Sequence, residues 1–465
     1  MLRSSKPLNL LDTSIMPATI IWALAWPTIL EQILQVTVTY VDSAMVGSLG
    51  AHATAAISVS SSTIWLVNGW MNALAIGFGV LMARSIGAGN LPKAQQVVRQ
   101  GFHSALLFGL MLTTIFLVIA NYLPRIMGAE EHVQDLARTY YQYIAIGYLP
   151  NMLMILISSF LRLSGDSRTP LYFNGLNNLM NITFNLFFIF DKIELGFITL
   201  PALGLGVKGA AMGTTLSCTI TSILLLMVIL RTKNPIRLEL RKTYRHDRKI
   251  QRDALYLALP MALERSTLSF GQIVFTKLVG GLGTTALAAH FLAISAESIT
   301  YLPSSGFATA ATTLVAQSLG SKNKVLAHKY AGICILWGTL LMSCMGVVLF
   351  FGSPLLMRFF TNDASVIALG SKVLRIEAFA QSGFGLSILA FGVFRGSGDT
   401  RRPFLIAVAG MWLVRLPVAL ILLKWTSLGL LAVWIAMMVD LNLRGIICLI
   451  QYRRFTWLES YRETN

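Results

Sequence analysis

The chain has 465 residues, of which 55% are hydrophobic and 12% charged, and its net charge is +17; the mean hydropathy is +0.67. Soluble domains carry about a quarter of their residues as charges, so polar surface can form only thin caps on an apolar body, and a water-soluble enzyme is excluded. The basic residues sit in short loops between apolar runs, the positive-inside pattern of a membrane protein, so the charge does not signal a nucleic-acid partner.

In chain order, residues 1–17 show no charged n-region followed by a short apolar core and a small-residue cleavage site, so the first helix is expected to persist in the mature protein. Apolar runs of the ~20 residues a spanning helix needs place helices at 18–44, 52–80, 100–121, 139–161, 170–191 and 206–230. After a basic stretch they resume at 254–277, 287–313, 330–352, 372–394, 404–424 and 429–451. All twelve must be helical, because a backbone in lipid satisfies its hydrogen bonds within the segment. Arg3, Lys6, Arg84, Lys93, Arg99, Arg162, Arg168, Lys322, Lys324, Lys329, Arg395, Arg401 and Arg402 lie at the N-terminus and in the even-numbered loops. The linker from Arg231 to Arg252 and the tail with Arg453, Arg454 and Arg462 add to the same side, which predicts that both termini are cytoplasmic in an inner (plasma) membrane protein. Cys218, Cys334, Cys344 and Cys448 fall inside apolar runs without metal-ligand spacing and read as buried thiols.

An internal repeat organises the chain. Leu161-Arg-Leu-Ser-Gly-Asp-Ser-Arg-Thr-Pro170 recurs as Phe394-Arg-Gly-Ser-Gly-Asp-Thr-Arg-Arg-Pro403, an offset of 233 residues. The same offset pairs Pro27 with Pro260, Glu31 with Glu264, Gly47 with Gly280, Gly50 with Gly283, Gly87 with Gly320 and Asn90 with Asn323. The expected division is an N-lobe over 1–231, a basic cytoplasmic linker over 232–252 and a C-lobe over 253–465. Six helices per half predict a pseudo-two-fold axis along the membrane normal with a cavity between two lobes, the organisation of a transporter.

Five acids fall well inside these spans: Glu31, Asp42, Glu264, Glu297 and Asp440. Each costs about 2.5–3.5 kcal/mol to insert, so each needs a partner, a proton or a water-filled cavity. Asp440 is expected to form a structural ion pair with Arg444, one turn on, and Arg415 in the preceding helix. Glu31, Gln35 and Asp42 share one face of helix 1, and no basic residue of that helix can neutralise Asp42. Helix 5 carries Asn174, Asn177, Asn178, Asn181 and Asn185 on one face, neutral oxygens suited to Na⁺ or to a protonatable carboxyl. The C-terminal half has Ala407, Gly410, Met411, Val414 and Val418 at those positions and Phe275 in place of Asp42, so ion coupling is expected in the N-lobe. Glu31, Gln35, Asn177, Asn178 and Glu297 are expected to face the substrate cavity, where a carboxylate would attract organic cations. Glu264, followed at once by Arg265, reads as structural. No G-x-x-x-x-G-K-[ST], H-E-x-x-H or G-x-S-x-G motif occurs, so neither direct ATP use nor catalysis is supported.

Three stretches resemble the multidrug and toxic compound extrusion (MATE) family. They are Leu24-Ala-Trp-Pro-Thr-Ile-Leu-Glu31 running to Val41-Asp-Ser-Ala-Met-Val-Gly47, then Ala288-Ala-His290 through Glu297 to the run ending at Gly320, and the duplicated Arg-x-Ser-Gly-Asp-x-Arg-x-Pro. The resemblance implies an all-α antiporter that expels amphipathic, mostly cationic organic compounds in exchange for Na⁺ or H⁺, without a cofactor. It implies that Asp42 is the coupling aspartate of helix 1, and that Asn181 and Asn185 match helix 5 positions where one branch has asparagine and aspartate. Thr214 and Asn151 look like a helix 6 hydroxyl and a helix 4 amide of the same cluster. A monomer in the bilayer is expected. Two alternatives stand beside this reading: a flippase for lipid-linked saccharides, which predicts strongly basic cavity walls, and a non-transporting membrane receptor.

Overall fold

The computed structural model describes residues 10–128, 130–194, 199–231, 236–238 and 246–459. Most of the basic linker over 232–252 lies outside the described residues, as do Arg3, Lys6 and Arg462. The protein is an all-α membrane protein with twelve spans. The first six are α1 (Pro17–Gly47), α2 (Ala51–Gly87), α3 (Leu91–Ile119), α4 (Glu131–Ile146 bent into Tyr148–Ser164), α5 (Arg168–Ile189) and α6 (Gly206–Arg231). They are followed by α7 (Arg248–Gly280), α8 (Thr284–Gly320), α9 (Lys324–Phe360), α10 (Ala364–Ala378 bent into Gln381–Gly396), α11 (Arg401–Trp425) and α12 (Leu430–Arg453). A hairpin, β1 (Lys192–Glu194) with β2 (Thr199–Pro201), joins α5 to α6.

Among the described residues, seven helices are individually long and apolar enough to cross a membrane, and α4 and α10 are so as bent pairs, at 47° and 56°. The three that complete the twelve are α5, α7 and α8, which carry the asparagine stripe, Glu264 and Glu297. Polar faces lower their hydropathy, as expected of helices that turn those faces toward protein or water rather than lipid.

The repeated residues are the punctuation of the fold. Asn90 and Asn323 cap α3 and α9, their side chains accepting from Lys93 N at 3.0 Å and Leu326 N at 2.9 Å. Within the ten-residue repeat, Asp166 accepts from Thr169 N at 3.0 Å and Asp399 from Arg402 N at 3.2 Å. The glycines just before them, Gly165 and Gly398, take φ of 103° and 77°, a conformation nearly closed to other residues. Pro27 and Pro260 lie inside α1 and α7.

The chain forms two compact units. One comprises the described residues of Leu30–Ile86 and Asn90–Tyr256; the other comprises those of Asn9–Ile29, Gly87–Gly89 and the chain from Leu257. In the first, Met45, Val46, Ala53, Ile189, Val207 and Ala210 build an apolar cluster beside the end of α1. In the second, one cluster gathers Phe307, Leu314, Tyr330, Phe394 and Trp457, and another Phe275, Val279, Leu349, Val433 and Trp434. Cysteines 218, 334 and 448 are buried thiols, whereas Cys344 is exposed, a correction to its sequence reading. Within α11, Gly410–Arg415 is a π-turn, a local widening that often accompanies functional or strained sites.

Candidate functional site

In the first unit the polar stripes of α1 and α5 meet. Asn185 Nδ2 donates to Asp42 Oδ1 at 2.9 Å. The amide of Asn181 lies between Asp42 and Thr214, 3.0 Å from both carboxylate oxygens and 3.0 Å from Thr214 Oγ1. These positions satisfy two hydrogen-bond patterns. With Asp42 ionised, Asn181 nitrogen donates to the carboxylate and its oxygen accepts from the Thr214 hydroxyl. With Asp42 protonated, or with a cation shared between Asp42 and the Asn181 oxygen, the amide turns over. Its nitrogen then donates to Thr214 Oγ1, and that hydroxyl donates to Ala210 O at 3.0 Å. A half-turn about the Cβ–Cγ bond exchanges the amide nitrogen and oxygen between the same two positions, so the site accommodates either charge state.

Asn181 and Asn185 are 4% and 1% exposed. Gly213 makes this burial possible: a Cβ there would fall 2.2 Å from Asn185 Oδ1. Among the described residues no basic side chain forms an ion pair with Asp42. Asn151 was expected in this cluster and is placed elsewhere, its amide donating to Asn68 Oδ1 on α2 at 2.8 Å. Asn177 accepts from Thr221 at 3.4 Å. Asn178 is half-buried and Gln35 exposed.

The other acids of the spans have different company. Glu31, expected at a substrate cavity, is buried and ion-paired: Arg162 Nη1 lies 2.8 and 3.0 Å from its two oxygens, and Asn174 Nδ2 donates to Oε1 at 2.6 Å. Glu264 pairs with Arg395 Nη2 at 3.0 and 3.2 Å, rather than depending on the adjacent Arg265. Both pairs span 131 residues and are repeat equivalents. Asp440, 0% exposed, accepts from Arg415 Nε at 2.8 Å and from Arg444 Nε at 2.6 Å, with Arg444 Nη2 on its second oxygen. Of the arginines inside the spans that the flippase reading would need as a basic wall, Arg265, Arg415 and Arg444, the last two are thus held by a carboxylate.

Glu297 in α8 is buried, and nearby Gln381 accepts from Thr300 at 3.1 Å. Sequence reading missed one acid, Glu377. Among the described residues both its oxygens are buried without a hydrogen-bond partner, within electrostatic range of Glu297, Arg415 and Asp440. Its span was expected to begin at residue 372, which left Glu377 at an apparent helix end; α10 begins at Ala364, which moves Glu377 inward to the bend. Asn68, the partner of Asn151, was also missed. Its run holds one other amide, Asn72 one turn on, too short a pattern to single it out.

Comparison with known proteins follows the same two halves. The MatE family model matches twice, over residues 27–187 and 260–421. The chain is 30% identical over 440 residues to the probable multidrug resistance protein NorM of Thermotoga maritima, covering 93% of this chain and 92% of that protein. It is 25% identical over 437 residues to the probable multidrug resistance protein YoeA of Bacillus subtilis, covering 93% of this chain and 92% of the relative. A multidrug resistance MATE family transporter of the MOP superfamily, solved in an outward-facing conformation, superposes with a TM-score of 0.90 at 21% identity, over 99% of this chain and 100% of that one. A MATE structure in complex with MaD3S superposes with a TM-score of 0.89 at 22% identity, over 98% and 100%. A doubled family match and a full-length relative agree with the fold, and this chain belongs to the MatE family, membrane transporters of multidrug efflux rather than enzymes.

Proposed function

We propose that the protein is a secondary antiporter that exports amphipathic, mostly cationic organic compounds by alternating access, exchanging them for H⁺ or Na⁺ at Asp42. The observation that carries this reading is the contrast among the acids of the spans. Glu31, Glu264 and Asp440 each have an arginine within 3.0 Å, whereas Asp42 is surrounded by amides and a hydroxyl that suit it charged or neutral. A carboxylate in that setting gains most from a mobile cation or a proton. Ion binding at Asp42 favours one arrangement of the transporter and drug binding the other, and their competition links the two fluxes. In this reading the chain acts as a monomer in the plasma (inner) membrane with both termini cytoplasmic.

A second coupling position is favoured by Glu377, whose oxygens, buried and unbonded among the described residues, carry a desolvation penalty that a proton or cation shared with Glu297 would relieve. Ethidium efflux from proteoliposomes, under an imposed Na⁺ gradient and separately under a pH gradient, tests both. Asp42→Asn is expected to abolish gradient-driven efflux while the protein stays folded and monodisperse. Normal efflux from Asp42→Asn together with loss in Glu377→Gln moves the coupling site to the second unit. Efflux that responds to neither gradient in tight vesicles refutes antiport.

A further inference from the structure

The half of α1 that carries Asp42 is sparsely held. Pro27 lacks the N–H that would bond one turn back, so the backbone ladder is interrupted four residues before Glu31. From Leu30 to Ala44, Glu31 is the one buried residue, and Ile33, Gln35, Thr37, Thr39, Tyr40 and Ser43 are exposed. Among the described residues, side-chain bonds join this stretch to α5 at two levels: Glu31 to Asn174, and Asp42 to Asn185 and, when ionised, to Asn181. The Glu31–Asn174 and Asp42–Asn185 bonds both link residues 143 apart, so each step of three turns on α1 is matched by the same step on α5, about 16 Å at 1.5 Å per residue. The two helices therefore run parallel and in register through two polar rungs.

The rungs differ in kind. At the first, Arg162 keeps its charge under all conditions and lies within 3.0 Å of both Glu31 oxygens. At the second, the partners are neutral amides, and the bond changes with the occupancy of Asp42. The C-terminal half keeps only part of this device. It has the Glu264–Arg395 pair, but Ala407, Phe275 and Val418 stand where Asn174, Asp42 and Asn185 would be. The amide that ties the ion pair to the neighbouring helix is present only where a second, titratable rung lies three turns further on.

We infer that Glu31, Arg162 and Asn174 form a fixed rung that sets the register of α1 on α5 and thereby positions Asp42 against Asn185 and Asn181. Glu31 is then a positioning residue, not a substrate contact, and its effect on transport is exerted through Asp42. The inference rests on Asp42 as the coupling group, and the test separates the two.

Spin labels at Ser43→Cys and Thr183→Cys, in full-length protein with its four native cysteines replaced, report the distance across the second rung by pulsed electron spin resonance. A single narrow distribution is expected for the background. Glu31→Gln and Asn174→Ala are expected to broaden or split it, and Glu264→Gln to leave it unchanged. Asn174→Ala removes one bond and no charge, so it carries the test if Glu31→Gln misfolds. In liposomes, Glu31→Gln loosens the amide donors that stabilise the ion-free Asp42 and is expected to lower the driving-ion concentration for half-maximal ethidium efflux about tenfold, with Glu264→Gln matching wild type. Distributions of Glu31→Gln and Asn174→Ala that superpose on the background overturn the inference, as does equal broadening in Glu264→Gln. Broadening in a protein whose efflux ignores both gradients upholds the rung and refutes antiport instead.

Discussion

Replacing Asp440 by Asn isolates what the buried charge triad contributes to stability. Asp440 is 0% exposed, and the two arginines it holds are each 8% exposed. The triad carries a net positive charge, and Asp440→Asn leaves two buried guanidinium groups facing one amide oxygen. Breaking a buried ion pair by removing one partner costs about 3–5 kcal/mol. Arg415 also lies within electrostatic range of Glu297 and Glu377, which can take up part of the freed charge, so the expected loss is near 3 kcal/mol. Asp42→Asn strands no cation and keeps an acceptor for Asn185, so its loss should stay within about 1 kcal/mol, the net worth of one ordinary hydrogen bond. Unfolding by SDS titration from dodecyl maltoside micelles measures both. The fluorescence of Trp434, fully buried on the same helix as Asp440, is a built-in reporter. Replacing Arg415, Asp440 and Arg444 together by Leu should recover most of the loss, because removing all three charges leaves none unpaired. The reasoning is refuted if Asp440→Asn unfolds within 1 kcal/mol of wild type, or if Asp42→Asn loses as much.

Three further outcomes follow from the geometry. Gly213→Ala places a Cβ 2.2 Å from Asn185 Oδ1; the Asn185 bond stabilises the ionised, ion-free Asp42, and its loss, worth about 1.5–3 kcal/mol, favours the loaded form, so the ion concentration for half-maximal efflux should fall at least tenfold, while ethidium binding measured by fluorescence polarisation is unchanged. Asn90→Ala and Asn323→Ala each remove a side-chain cap and should lower stability by about 1 kcal/mol in the same SDS titration; the two losses should add, because the caps share no partner. Asp363 caps α10, accepting from Ser365 Oγ at 2.6 Å and from Ser365 N at 2.8 Å, and the Ser365 hydroxyl foremost holds its carboxyl below the usual aspartate range. A lowered value in the folded state means that the cap contributes at neutral pH and is lost as the pH falls through that value. Amide protection at Ser365 and Val366, corrected for intrinsic exchange, should therefore fall on acidification and be low at every pH in Asp363→Ala.

Much of this molecule is readable in its residues alone, because the signals involved are local. Apolar runs of spanning length identified twelve helices, and one constant offset exposed two halves whose shared glycines, asparagines and aspartates prove to be turns and caps. The spacing of Asn174 to Asn185 put an amide stripe on one face of α5, and Asp42, like Glu31, was legible as an acid without a cation on its own helix. The i, i+4 spacing of Asp440 and Arg444 likewise falls within one helix, where sequence distance and spatial distance agree. Tertiary structure decided everything that depends on neighbouring helices. Glu31 and Asp42 occupy one face of one helix and look alike in sequence. The chain returns 131 residues later to set Arg162 against the first, and 143 residues later to set Asn185 against the second. Asn151 turned to Asn68 rather than to Asp42, and Glu377 became an interior acid because its helix starts earlier and bends. Whether a carboxylate in a membrane is a strut or a switch depends on the charge of the group that reaches it from another helix, and helical periodicity carries no record of that group.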